Sequence, residues 1–167
     1  LFKENGLTPP KGAIEDKDPS FELPAFWIDP HEIPAQLQQH AVEATDAIIN
    51  HLYEVVVKYV DEVMTKMDIL KLMELVRQQD QSLIQELVPN ILTPNDLRKI
   101  FVNLIREKVS IKDIMFVFER MTDYARFSKD PEVLSERLRA AMGRQICIAH
   151  SDKNRLMYAV TLSTDWE

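Results

Sequence analysis

Glycine is scarce in this chain. Gly6, Gly12 and Gly143 are the three among 167 residues, and none stands in a G-x-G-x-x-G or Walker pattern, so no backbone loop is set up to cradle a phosphate. Cysteine is scarcer still. Cys147 alone excludes an internal disulfide and a thiolate metal cage, and it suits a reducing compartment. The histidines His31, His40, His51 and His150 fall in separate predicted elements without an H-E-x-x-H pair, so no metal-ligand spacing is present. No run of eighteen apolar residues exists to cross a membrane. The opening "LFKENGLTPPKG" lacks the charged-then-apolar order of a signal peptide. Positive charge is also in deficit: 20 Lys and Arg against 27 Asp and Glu leave a net charge of −7. A general nucleic-acid binder needs a basic face to displace counterions. The sequence therefore points to no enzyme, no cofactor, no metal and no nucleic-acid partner.

What is present is an ordinary globular balance, 46% hydrophobic and 28% charged, in a chain long enough to bury a core without a staple. The abrupt start at Leu1 and stop at Glu167 lead to the expectation of a piece of a longer polypeptide.

Six of the nine prolines (9, 10, 19, 24, 30 and 34) fall before residue 45, which favours loops and short extended pieces. "LPAFWID" is the best strand candidate there, because Phe26, Trp27 and Ile28 suit a half-buried pleated surface. From Thr45 the pattern turns helical: Ile48, Ile49, Leu52, Val55, Val56, Tyr59, Val60 and Val63 form one apolar face. Four start signals follow, "TKMD" at 65–68, "TPND" at 93–96, "SIKD" at 110–113 and "KDPE" at 129–132. Each offers an oxygen to the first unpartnered backbone N–H groups of a helix, and two place proline at the first helical position.

The spacings predict helices over 45–64, 66–78, 81–88, 94–107, 111–123 and 131–142. In "NLIREKVSIKDI", Ser110 is expected to end one helix and cap the next, making a tight corner. Leu97, Ile100, Phe101, Leu104, Ile114, Val117, Phe118 and Leu138 are expected in the core. Gly143 is expected to close the last helix in a left-handed cap. "RQICIAH" and "LMYAVTL" then read as strands around the turn "SDKN", with Cys147 a small buried hydrophobe. The fold class that follows is α+β, mainly α: a helical subdomain of about five helices, flanked by a short α/β segment and a C-terminal β-hairpin.

From Leu87 the text "LVPNILTPNDLRKIFVNLIREKVSIKDIMFVFERMTDYARFSKDPEVLSERLRAAMGRQI" resembles the cytosolic domain of the export-gate family, the large inner-membrane proteins of bacterial flagellar and type III secretion systems. "LVP", "NLIREKVSIKDI", "DYA", "KDPEVLSE" and "GRQI" carry the resemblance in order and with matching gaps. It extends upstream through "VEATDAIINHL" and "DPSFELPAFWI". The resemblance implies a non-catalytic cytosolic platform that assembles into a nine-membered ring, docks export chaperone–substrate complexes and works with other export-apparatus components. It assigns residues 1–42 to a second cytosolic subdomain and 43–62 to a helix of the first. Residues 63–143 become the helical third, and 144–167 the opening hairpin of the fourth.

In flagellar members a D-P-x-F motif contributes its acid and phenylalanine to a chaperone-docking dimple, and here it reads Asp18-Pro19-Ser20-Phe21. A threonine that also contributes is replaced by Asn50. Arg106, Glu107, Lys108 and Lys112 become candidates for contacts between subunits; without the family they are a solvated edge. "DPSF" and "KDPEVL" favour a flagellar member over a virulence injectisome homologue. The rival from another class is a free-standing helical adaptor or DNA-binding regulator. The charge opposes it, as does an "IKDIMFVFERM" face too apolar for a recognition helix.

Overall fold

The structure, a computed structural model, describes residues 6–158 and divides into two compact units, residues 1–59 and 60–167. In the first unit, β1 (Ile14–Lys17) pairs antiparallel with β2 (Pro24–Trp27), Ile14 facing Trp27 and Lys17 facing Pro24. β2 is the strand its aromatics predict, and Pro24 sits at its first residue, where a missing N–H is tolerated. β1, "IEDK", has no apolar alternation and all four of its residues are exposed, so no period-2 signal marks it. Two 3-10 turns follow, Pro30–Glu32 and Ala35–His40. Asp29 caps the first through the N–H of His31 at 2.9 Å, and Leu37 is buried in the second. α1 (Ala44–Lys58) carries the predicted apolar face as far as Val56; the helix expected over 45–64 breaks at Tyr59, and Val60, expected on the same face, is buried in the second unit. That face is uncovered: Ile48, Ile49 and Leu52 are 67%, 57% and 62% exposed, and α1 packs on neither strand of its own unit.

The regular elements of the second unit, among the described residues, are all helices: α2 (Val60–Val63), α3 (Lys66–Gln79), α4 (Gln81–Leu87), α5 (Pro94–Arg106), α6 (Ile114–Ala125), α7 (Pro131–Ala141) and α8 (Gly143–Ala149). α5 packs on α3 and α7, and α6 on α4 and α7. Between them Ile69, Val76, Leu97, Ile100, Phe101, Leu104, Val117, Phe118 and Leu138 are buried. The Phe101 and Phe118 rings lie 5.8 Å apart at 43°, within the range of favourable tilted aromatic pairs. Ile114 alone of the expected core set is only half-buried.

Capping explains where these helices begin. Thr65 and Thr93 each accept the N–H three residues on, while Asp68 and Asp96 reach back to the threonine N–H at 3.0 Å. These are reciprocal capping boxes built with aspartate. The Thr65 hydroxyl is the main reason the Asp68 carboxyl is pulled down to about 2, and Thr93 lowers Asp96 in the same way. Asp80 caps α4 and Asp130 caps α7, with Pro131 following as its first residue.

Four sequence expectations at the helix joints and toward the C-terminus are corrected. The joint at 107–113 is longer than a tight corner, and Ser110 caps nothing. α5 ends in a Schellman motif: Val109 N–H donates to Leu104 O and Lys108 N–H to Ile105 O, both at 2.9 Å. Lys108 takes the left-handed position, φ 57°, that glycine usually fills. Residues 107–109 are needed to close α5, so α6 restarts only at Ile114, capped by Asp113 through Phe116 N–H at 3.2 Å.

Gly143 is no left-handed cap either: it opens α8, and its φ is not positive. Among the described residues there is consequently no C-terminal hairpin. "RQICIA" is helical, its register set by Ile146 N–H donating to Met142 O at 3.0 Å and by Ile146 resting on the core. Cys147 is exposed on this helix instead of buried in a strand. The turn expected at "SDKN" does form, tied by Asp152 Oδ1 to the N–H groups of Asn154 and Leu156 at 2.8 Å. Residues 156–158 are not strand, and the rest of "LMYAVTL" lies outside the described residues.

Candidate functional site

The D-P-x-F residues form the tip of the β1–β2 hairpin, and Asp18 organises the whole loop. Its Oδ1 accepts the N–H of Ser20 at 2.9 Å and of Phe21 at 2.8 Å. Its carbonyl accepts Glu22 N–H at 2.8 Å, and its own N–H donates to Leu23 O at 2.7 Å. Every residue from 20 to 23 is thus bonded to Asp18, and Pro19 has no N–H to satisfy. Glu22 adopts φ 56° to turn the chain back into β2. With the backbone committed inward, Phe21 and Leu23 project outward, 61% and 62% exposed. Ser20 Oγ is buried without a hydrogen-bond partner among the described residues.

Asp18 and Phe21 are therefore brought together, as the motif requires. Asn50 lies exposed on α1, and no described hydrogen bond joins it to the loop. The tight use of Asp18 by its own backbone is legible from Asp-Pro, a recognised turn opener. The outward pairing of Leu23 with Phe21 is not, because it depends on Glu22 adopting the left-handed conformation.

Among the four candidate interface charges, Arg106 and Glu107 form ion pairs within the second unit. Arg106 pairs with Asp61 of α2. Nearby, Arg98 donates to the carbonyls of Asp61 and Met64, the latter at 2.8 Å. α5 thus grips α2 with two guanidinium groups, a role no local motif announces. Glu107 accepts from Arg139, which also reaches Glu136, each at 2.5 Å; both contacts hold the Arg139 guanidinium above its usual value. Lys108 occupies the Schellman position, and Lys112 is exposed in the linker before α6.

Among the described residues no three His, Cys, Asp or Glu side chains gather in a way that could hold a metal ion, and no helix is long and apolar enough to cross a membrane. The cavity of about 380 Å³ between the start of α6 and α8 is lined by Phe116, Met142 and Ile148, with Asp113, Arg144 and Gln145 among its polar groups. It places no general base beside a nucleophile.

The chain is similar in sequence to flagellar biosynthesis proteins. The chain is 29% identical over 152 residues to the flagellar biosynthesis protein FlhA of Bacillus subtilis, covering 90% of this chain and 22% of that protein. Against the same-named protein of Salmonella typhimurium the identity is 31% over 152 residues, with the same coverage. For Escherichia coli it is 33% over 131 residues, covering 77% of this chain and 19% of the relative. The chain thus spans about a fifth of the length of these relatives. Its fold matches the solved CdsV protein of Chlamydia pneumoniae with a TM-score of 0.68 at 24% identity, over 84% of this chain and 44% of that one. The FHIPEP family profile matches residues 3–167, and the chain belongs to the FHIPEP family.

Proposed function

We propose that this chain is part of the cytosolic, non-catalytic platform of a bacterial flagellar export gate, and that its hairpin tip docks export chaperone–substrate complexes. The observation that carries the proposal is the exposed Phe21 on a rigidly tied D-P-x-F loop in a FHIPEP family member. An aromatic ring held out in water on a preorganised loop loses little entropy on binding, so its burial against a partner contributes fully. Anchors of this kind carry about 2 kcal/mol or more of an interface. Phe21→Ala should therefore weaken binding of a chaperone–cargo complex roughly thirtyfold, at about tenfold per 1.4 kcal/mol. Calorimetric titration tests this, and unchanged affinity in a folded variant removes the docking site.

On the family plan, residues 1–42 are part of a second subdomain, 43–62 a helix of the first, 63–143 the third, and 144–167 the start of the fourth. The uncovered face of α1 supports the assignment of that helix to a subdomain built mostly from chain outside this sequence. In the intact protein the platform closes into a nine-membered ring, with the joint at Arg106, Glu107, Lys108 and Lys112 facing the next subunit. Arg106 and Glu107 hold the joint to α2 and α7, while Lys112 stands exposed for an intermolecular contact. The 167-residue chain alone should be largely monomeric at tens of micromolar by light scattering. A stable nonamer would place the whole ring interface within it.

A further inference from the structure

We infer that Asp18 is a positioning residue for the hairpin tip, and that the surface meeting the partner is the apolar pair Phe21 and Leu23. The inference rests on the docking reading above, but it assigns the motif's acid a task other than touching the partner. Asp18 Oδ1 already accepts two backbone N–H groups, at 2.9 and 2.8 Å, and the residue's own carbonyl and N–H hold Glu22 and Leu23. A carboxylate whose oxygen is engaged by adjacent amides sets the direction of the chain, as in an Asx turn. The consequence is the outward presentation of Phe21 and Leu23, two residues apart and equally exposed.

The occupant that fits is a protein segment presenting an apolar side chain beside lysine or arginine. The apolar part meets Phe21 and Leu23. The basic part is favoured because the hairpin bears Glu15, Asp16 and Glu22, all exposed, against Lys17, and complementary charge steers encounter and sets register.

The role of Asp18 separates from a charged contact through its amide isostere. Asparagine keeps an acceptor oxygen at the same place and forms the same turn, but loses the charge. Using the chaperone–cargo complex as probe and the 167-residue chain as host, Asp18→Asn should bind within about threefold of the parent, and Asp18→Ala should bind at least roughly tenfold more weakly. Leu23→Ala should weaken binding severalfold. Amide exchange should show the Ser20 and Phe21 N–H groups protected in the parent and in Asp18→Asn, and unprotected in Asp18→Ala.

If Asp18→Asn loses as much binding as Asp18→Ala while its amides stay protected, the charge itself meets the partner; the positioning role is then overturned and the docking site stands. Should Phe21→Ala bind normally, the docking reading and the Phe21–Leu23 contact surface both fall. In that case the exchange data alone decide whether Asp18 organises the loop. Binding that does not weaken with added salt overturns the basic character assigned to the partner.

Discussion

In α1, Ile48, Ile49 and Leu52 stand more than half exposed, whereas in α5 Leu97, Ile100, Phe101 and Leu104 are no more than 1% exposed. Both helices carry an apolar face at helical spacing. The difference lies in neighbours: α5 is flanked by α3 and α7, while α1 packs on neither strand of its unit. Their ends differ too. α5 starts at a reciprocal capping box, but Glu43 before α1 makes no side-chain cap bond. Periodicity thus states which side of a helix seeks burial and leaves open what supplies it. Most helix stability in proteins comes from that supply.

The largest test of this contrast is truncation of one residue in the helical core and one on the α1 face. Phe118→Ala should cost about 3–5 kcal/mol, the range for a fully buried phenylalanine, and thermal unfolding followed by far-UV circular dichroism should show it. Ile49→Ala, on the exposed face of α1, should change stability by less than about 0.5 kcal/mol. Comparable losses would mean that α1 is covered in solution.

Next in size, Arg98→Ala removes two hydrogen bonds from a charged donor, to the carbonyl of Asp61 in α2 and that of Met64 just after it, and should cost about 2 kcal/mol in denaturant unfolding. Amides of α2 should then exchange ahead of those in α5. Simultaneous loss in both helices would show that α2 is not a separable clasp.

A smaller effect concerns the helix starts. Thr93→Ala should cost about 1 kcal/mol. Asp68, pulled down to about 2, and Asp96, also lowered, have folded-state values below the ordinary one near 4, so their contribution is present above pH ~4 and is lost as the pH falls through the lowered values. The melting temperature of the parent should therefore drop more steeply with falling pH below about 4 than that of a Thr65→Ala/Thr93→Ala variant. Parallel curves would remove the capping boxes as the source of acid sensitivity.

The smallest effect has the opposite sign. Lys108→Gly should stabilise by about 1 kcal/mol or less, since a left-handed φ strains any residue with a Cβ. A loss of stability would show that the lysine side chain contributes more than its backbone costs.

Most of the helical unit was legible in the sequence because its starts are local. Thr65, Thr93 and Asp130 each sit within three residues of the groups they cap, so a short window contains the whole interaction. Ser110 shows the limit. "SIKD" has the same form as "TKMD", but α5 needs residues 107–109 to close, and that demand comes from Leu104 and Ile105 upstream. The C-terminal misreading has a similar cause. In "RQICIA" the isoleucines at 146 and 148 alternate like a strand, and six residues are too few for a period to decide. The choice was made by Ile146 resting on a core assembled from distant helices. At the hairpin tip, Asp18 and Phe21 could be read from the motif. The hydrogen-bonding pattern centred on Asp18 and the exposure of Leu23 emerge only once Glu22 takes its left-handed turn.

The grip of α5 on α2 also has a mechanical meaning. Tension carried along the backbone from Tyr59 enters the helical unit at Val60, which is 2% exposed. At the next residue, Asp61, it meets Arg98 and Arg106, anchored eight residues apart on α5. A pull on the chain would load both guanidinium contacts together instead of unzipping α2 one bond at a time. α2, four residues long, thus acts as a rivet: a load at Val60 is passed to α5, and through it to α3 and α7, within the helical unit.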